Sequence, residues 1–342
     1  SWDAPSMRAL SPFLLLPAVL LAACSTCTAR CRPCESAPVA MNTPPPTPPV
    51  RKQALYEGST GRPTTLDAFV ESTHGANLVA IGELHGHPVG AETEYEVLRR
   101  LWRQDPRLAL AMEFFETDTQ ADLDAYLAGE LDKEAFREQT RRQGNYDQTH
   151  GPLVEYCRLN RIPVIAANAP RRLVREYRRS DDEYGDFLEG LDEADRALLP
   201  GETTTPEDAY WERFAELMGG MKAESFFKAQ ALWDDAMASN AAAFVDAHPD
   251  HRVQHVVGTF HIDDGRGTIT KYRLRRPGDE IRTLVMRIDD EPGLPFQVAD
   301  RGAGDAVLKV RPPERKAPRG PNPHAKKPPS PHGKNPPAAP QP

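Results

Sequence analysis

Four short apolar runs punctuate the middle of the chain, at residues 78–81, 108–112, 163–166 and 253–257, each with a break on either side. Runs of this length, apolar throughout or, at 253–257, broken only by Gln254 and His255, are the pattern of strands buried on both faces. The segments between the first three alternate differently. Residues 91–103 place Tyr95, Leu98, Leu101 and Trp102 on one helical face, and helical patterns follow at 119–128, 133–142 and 152–159, the last with a proline in its first turn. Strand and helix in alternation predict an α/β fold, a mainly parallel sheet covered by helices on both faces. From 171 to 248 the pattern is helical throughout, a helical insertion whose longest stretch, 210–247, is interrupted at Gly219-Gly220. Residues 268–275 and 281–288 alternate around Pro277-Gly278, which predicts a C-terminal antiparallel hairpin completing a single domain.

The ends of the chain are of another kind. Phe13 to Ala23 is apolar, follows Met7-Arg8, and runs into Leu21-Ala22-Ala23-Cys24. It is too short to span a bilayer and is built like a secretory signal, with the cysteine placed as in bacterial lipoproteins. The expectation is a signal at 1–23, acylation of Cys24 (palmitate among the chains), and a proline-rich tether over 24–51. Ser25 rather than Asp after the cysteine resembles lipoproteins sent to an outer membrane, facing the periplasm or the surface. The folded domain is expected over 52–299 and a disordered, basic, proline-rich tail over 300–342. Residues 301–342 carry nine Lys/Arg and two Asp/Glu, so a chain of net charge −8 has a body near −15. Export and an acidic body argue against nucleic acid as a partner; the membrane, through the lipid anchor, is the expected one. Cys27, Cys31 and Cys34 are read as disulfides or odd thiols rather than metal ligands, and Cys157 as a small buried hydrophobe.

In a parallel sheet the functional crevice lies beyond the carboxyl ends of the strands. All four runs end there in polar or titratable residues: Glu83, His85 and His87 after the first; Glu113 and Glu116 after the second; Asn168, Arg171 and Arg172 after the third; His261 and Asp263 after the fourth. Glu83, His85, Glu113 and His261 are predicted to converge. Two imidazoles and a carboxylate suit a divalent transition metal (Zn, Mn or Co), and a bound metal lowers the pKa of a water, with a spare Glu as base. His87 is read as a rim residue. Arg171 opens a helix beside the crevice and suits a carboxylate. Gln230, Asp234 and Met237 share one helical face, Met237 being read as core.

These residues also carry a resemblance. Val79-Ala80-Ile81-Gly82-Glu83-Leu84-His85, then Ala111-Met112-Glu113-Phe114-Phe115-Glu116 with Gln120, Leu123, Asp124, Tyr126, Leu127 and Gly129, is similar to the ChaN-like family of haem-binding lipoproteins. Ile162 to Arg171, Gln230 to Ala238 and Val257 to His261 match in the same order. The family sits with Tiki proteases, TraB proteins and erythromycin esterases, whose two Gly-x-x-His motifs correspond to Gly82–His85 and Gly258–His261. The resemblance implies haem as cofactor, a tyrosine iron ligand, stacked haems between two protomers of a homodimer, and a role in iron uptake. For haem it points to His85, His261, Asn168, Arg171 and Gln230. The wider superfamily implies the alternative, a metal-dependent hydrolase acting on peptide or ester substrates through Glu83, His85, Glu113 and His261. Where the family has Asp and a His-His pair after the first motif, this chain has Gly86 and Gly90-Ala91, and His150 stands near Pro152 where a Tyr is common. Tyr126, Tyr146 and Tyr156 are the candidate iron ligands.

Overall fold

β2 (Leu78–Glu83), β3 (Leu108–Glu116), β4 (Val164–Asn168) and β5 (Arg252–Gly258) occupy the four predicted runs, and β2, β4 and β5 are buried at every position. In this computed structural model the described residues are 52–142, 144–203, 208–219, 223–291 and 293–313. β1 (Gln53–Glu57), β6 (Ile281–Ile288) and β7 (Ala306–Val310) complete a seven-stranded sheet in the order β1-β7-β6-β2-β5-β3-β4. Every pairing is parallel except β1 with β7.

Side chains alternate across the sheet, so each buried strand feeds two cores. Val79, Ile81, Leu110 and Met112 face one layer. There lie helices α1 (Leu66–Glu71), α2 (Pro88–Gln104), α3 (Gln120–Ala128), α4 (Lys133–Gln139) and α5 (Gly151–Asn160). Cys157 on α5 is a buried free thiol, as expected. Leu78, Ala80, Ala109 and Ala111 face the other layer. The elements beyond β4 are α6 (Arg171–Arg179), α7 (Tyr184–Gly190), α8 (Glu193–Arg196), α9 (Ala209–Leu217), the long α10 (Ala223–Ala247) and α11 (Thr268–Arg275). Met237, Ala238, Ala241 and Val245 of α10 pack on this face with Ile269 and Tyr272 of α11, so Met237 is core, as its spacing predicts.

Two expectations are corrected. Residues 268–275 form a helix, and β6 runs parallel to β2 and β7, so there is no hairpin. β5 and β6 flank β2 on opposite sides, and joining two parallel strands across a third requires a crossover, which α11 supplies. The buried positions Thr268, Ile269, Lys271 and Tyr272 fit helical spacing. The domain also continues past Ala299. β7 is buried throughout and its Lys309 pairs with Asp289 at 3.0 Å and Asp300 at 2.7 Å. The signal, Cys24, the tether with its other cysteines, and the tail from 314 onward lie outside the described residues. Among those described, no helix is long and apolar enough to cross a membrane.

Ending the chain at Ala299 instead of Pro313 removes the buried Val307, Leu308 and Val310 and bares the edges of β1 and β6. At about 1.5–3 kcal/mol per buried aliphatic, the loss is on the order of 5 kcal/mol. Residues 52–313 should unfold cooperatively on heating, whereas residues 52–299 should show no cooperative transition by circular dichroism. Equal melting temperatures would show β7 to be dispensable.

Candidate functional site

Glu83 is the last residue of β2, a strand with neighbours on both sides, and its carboxylate is buried. One oxygen lies 2.7 Å from His85 Nδ1 and the other 2.9 Å from His150 Nε2. Burial alone raises a carboxyl pKa, but the hydrogen bonds from His150 and then His85 hold Glu83 down at about 2. The same bond to Glu83 raises His85 above the usual imidazole value. His150 stacks on Phe114 with ring centroids 3.6 Å apart, and Thr149 Oγ1 lies 3.4 Å from its Nδ1. Behind Glu83 stands Glu94 of α2, fully buried, with no hydrogen-bond donor in reach of either oxygen. Burial, and then the charge of Glu83, push its carboxyl well above the ordinary range.

The second half of the site is built on β3, β5 and α10. The register of β3 against β4 breaks between Met112 and Glu116. In that break the carboxylate of Glu113 turns toward β5, accepting a 2.6 Å bond from the Gly258 amide. Its other oxygen lies 3.8 Å from His261 Nε2 and 4.0 Å from His85 Nε2. Glycine at 258 leaves room for the imidazole, because a Cβ there would lie 3.0 Å from His85 Cε1 and 3.1 Å from its Nε2 and would displace the ring. His261 donates from Nδ1 to Asp234 of α10 at 2.8 Å, and the Gln230 amide sits 2.9 Å from the same ring nitrogen. Asp234 also accepts from Tyr210 Oη at 2.7 Å and Thr268 Oγ1 at 2.8 Å. Burial works against the charged form of His261, yet the charges of Asp234 and Glu113 raise it to about 9.

Beside these imidazoles the crevice is lined with arginine. One cavity of about 310 Å³ runs from Glu113 and Asn168 past Arg171, Arg175 and Arg178 to Phe226 and Trp233. A second, about 440 Å³, has His85, Phe114, Tyr146 and His150 on its wall together with Arg142 and Arg171. Arg171 borders both, with its side chain 65% exposed; its amide donates to Glu116 at 3.0 Å and its Nε lies 3.4 Å from the same carboxylate. Arg141 spends its charge on Glu116 and Asp118, and Arg172 on Asp195. Arg175 forms no ion pair among the described residues, and Arg178 lies over the Phe226 ring at 4.4 Å.

Of the four residues predicted to converge, His85, Glu113 and His261 do. Glu83 does not join them: it reaches only the far nitrogen of His85. Asn168 and Arg171 border the cavity, and Gln230 touches His261. Asn168 Oδ1 is occupied locally, accepting from the Ala169 amide at 2.9 Å. His87 is not a rim residue; it is buried, with Nε2 2.8 Å from the Arg311 carbonyl. Tyr126 bonds Glu155, and Tyr156 packs on Tyr95 and Trp102 away from the crevice, so Tyr146 alone of the three tyrosines borders a cavity. Sequence reasoning did not place His150, Glu94, Tyr210 or Arg175. Glu94 carried a signal: it shares the spacing of Val97, Leu98 and Leu101, a carboxylate on an apolar helical stripe.

A family profile described as haem-binding uptake, Tiki superfamily, ChaN, matches residues 69–271, more than half of the chain. The structure of ChaN of Campylobacter jejuni with cofacial haem is similar in fold, with a TM-score of 0.54 and 11% identity over 76% of this chain and 97% of that one. An erythromycin esterase mutant in its open conformation gives a TM-score of 0.43 at 13% identity, over 68% of this chain and 77% of the other. A curated relative, the chloroplastic protein RETICULATA-RELATED 5 of Arabidopsis thaliana, is 28% identical over 130 residues, 36% of this chain. The chain spans 17% of that relative's length.

His261 has a pKa raised above its unfolded value, so its ion pair with Asp234 stabilises the fold fully below about pH 6.5 and the contribution fades as pH rises through about 9. Melting temperatures of the ligand-free protein between pH 6 and 10 should fall along this limb, and His261→Gln should flatten it. A His261→Gln profile parallel to the wild type would show that the imidazole is not charged.

Proposed function

The chain belongs to the haem-binding uptake family of the Tiki superfamily, the ChaN group, and from that membership we propose that it binds haem in the arginine-lined cleft as a lipid-anchored envelope protein handling iron. The observation that carries this reading is the cavity wall: Val174, Ala229, Phe226 and Trp233 offer an apolar surface, and Arg171, Arg175 and Arg178 stand along it. A porphyrin asks for that combination, an apolar face for the ring and cations for two propionates. His85, on the wall of the adjoining cavity that shares Arg171, suits the iron. Its side chain is 58% exposed, Glu83 holds Nδ1, and Nε2 has no hydrogen bond; imidazole is a common axial ligand. Bound haem would supply the iron and its redox chemistry; the protein orients it. Acylation of Cys24 and a homodimer closing over the cofactor are part of this proposal.

One observation favours a second reading, a metal-dependent hydrolase. The Nε2 atoms of His85 and His261 face the same Glu113 oxygen, while a carboxylate holds each Nδ1. Metal-ligating histidines are commonly braced in this way.

Titrating haem into the protein should give a Soret shift that saturates at a defined stoichiometry. Arg171→Ala or Arg175→Ala should weaken binding roughly 10- to 100-fold, the equivalent of about 1.5–3 kcal/mol for a hydrogen bond to a charged group, and His85→Ala should move the Soret band. A wild-type response no larger than that of an unrelated acidic protein overturns the haem reading. Elemental analysis of the same preparations tests the second: a metal lost from both His85→Ala and His261→Ala supports it, and equal metal in all three removes it. Acyl burial is not screened by salt, so the anchored protein should stay with membranes in high salt and Cys24→Ser should not. Release of the wild type by salt alone removes the anchor.

A further inference from the structure

The geometry points to a second, buried cation site beneath the crevice, formed by Glu83, Glu94 and His150 and selective for a divalent first-row transition ion. One ligand atom from each of the three lies within 4.8 Å of the other two, and all three side chains are buried. Glu94 is the telling member. It stands fully buried on the core face of α2, and its only polar neighbour is the Glu83 carboxylate, no N–H or hydroxyl donor among the described residues reaching either of its oxygens. A carboxyl in such a place holds its proton unless a cation offsets the loss of water, and a divalent cation that displaces that proton matches two facing carboxylates. His150 presents Nε2 to the cluster at 2.9 Å from Glu83, while its Nδ1 has the Thr149 hydroxyl at 3.4 Å. One ring nitrogen is therefore directed inward and the other has its own neighbour, the usual division in a ligating histidine.

Two carboxylates cancel the charge of a divalent ion. The imidazole disfavours Ca²⁺ and Mg²⁺ and favours Mn²⁺, Fe²⁺, Co²⁺ or Zn²⁺. Ligand bonds of about 2.0–2.2 Å place donors about 3–4 Å apart, so a small inward turn of the Glu94 side chain closes the set. There is an entry route, since His150 also forms part of the wall of the cavity shared with His85 and Phe114. The site is separate from the His85, Glu113 and His261 cluster, to which Glu83 connects it through His85 Nδ1. It does not depend on haem binding.

The test uses the full-length protein, stripped with chelator and titrated with Co²⁺ and with Zn²⁺. Co²⁺ should bind with its own visible absorption bands, and Zn²⁺ at a hundredfold excess over Kd should raise the melting temperature by about 5–10 °C. Glu94→Gln keeps the shape and removes the charge; it should lose both signals, and His150→Gln should do the same, each retaining the wild-type far-ultraviolet spectrum. His248→Ala, an exposed imidazole just past the end of α10 and outside both clusters, should keep both. No Co²⁺ spectrum in the wild type overturns the site, as does an undiminished signal in Glu94→Gln and His150→Gln. A signal lost only in His261→Ala would assign the metal to the crevice and overturn the proposal equally. Should Glu94→Gln fail to fold, the His150→Gln arm decides by itself.

Discussion

A buried anion at the end of a central strand is the constraint around which the site is arranged. Glu83 cannot turn to solvent, because β2 is flanked by β5 and β6 and the strand is buried to its last residue. An isolated carboxylate in that position would be expensive, and two imidazoles from different loops meet it, one on each oxygen. Each consequence is geometric. His85 is turned so that Nε2 faces the crevice, and His150 is drawn against Phe114. The strands approach closely enough for this only because two glycines stand at their ends. A Cβ on Gly82 would come within 2.9 Å of Thr259 Cα, and one on Gly258 would strike the His85 ring.

How much of this was legible in the sequence follows from the reach of each signal. Strands buried on both faces leave short, largely apolar runs, broken in β5 by Gln254 and His255, and β2 to β5 were therefore readable to within a few residues. α11 was not. Eight residues with two or three apolar positions fit a period of two nearly as well as 3.6, and only the parallel direction of β6, a property of the whole sheet, decides between them. β7 was hidden because Ala306–Val310 is a short run set in a proline-rich, basic stretch, so that the composition of the neighbourhood outweighed the strand. At the site, the residues following strand ends were legible because topology sends them all to one edge. His150 and Glu94 reach the same place from α2 and from the turn before α5, and no spacing in the chain links them to Glu83.

The long helix α10 gives the far wall its rigidity. Gln230, Asp234 and Met237 recur at helical spacing, and the structure divides them: Asp234 holds His261, Gln230 donates to Tyr210, which in turn donates to Asp234, and Met237 fills the core beneath. The next residue, Asp235, pairs with Lys271 and Arg275 of α11 at 2.9 Å each. Two adjacent carboxylates thus both bond to α11, Asp234 at Thr268 and Asp235 one and two turns further on. Rotating α10 to free one would strip the other of buried partners, so the position of Asp234, and with it His261, is fixed by interactions outside the crevice.

The two imidazoles facing Glu113 are consequently unequal. His261 has its side chain 9% exposed, against 58% for His85. Asp234 grips His261, and Asp234 is itself tied to Tyr210 and Thr268. His85 has one bond, to Glu83, and stands at the mouth of the larger cavity among arginines. Solvent therefore reaches His85 and is largely kept from His261. Arginines line both cavities, although the body of the protein is acidic. This local reversal of charge separates the cleft from the rest of the surface: the field that repels anions elsewhere is cancelled where Arg171, Arg175 and Arg178 stand together.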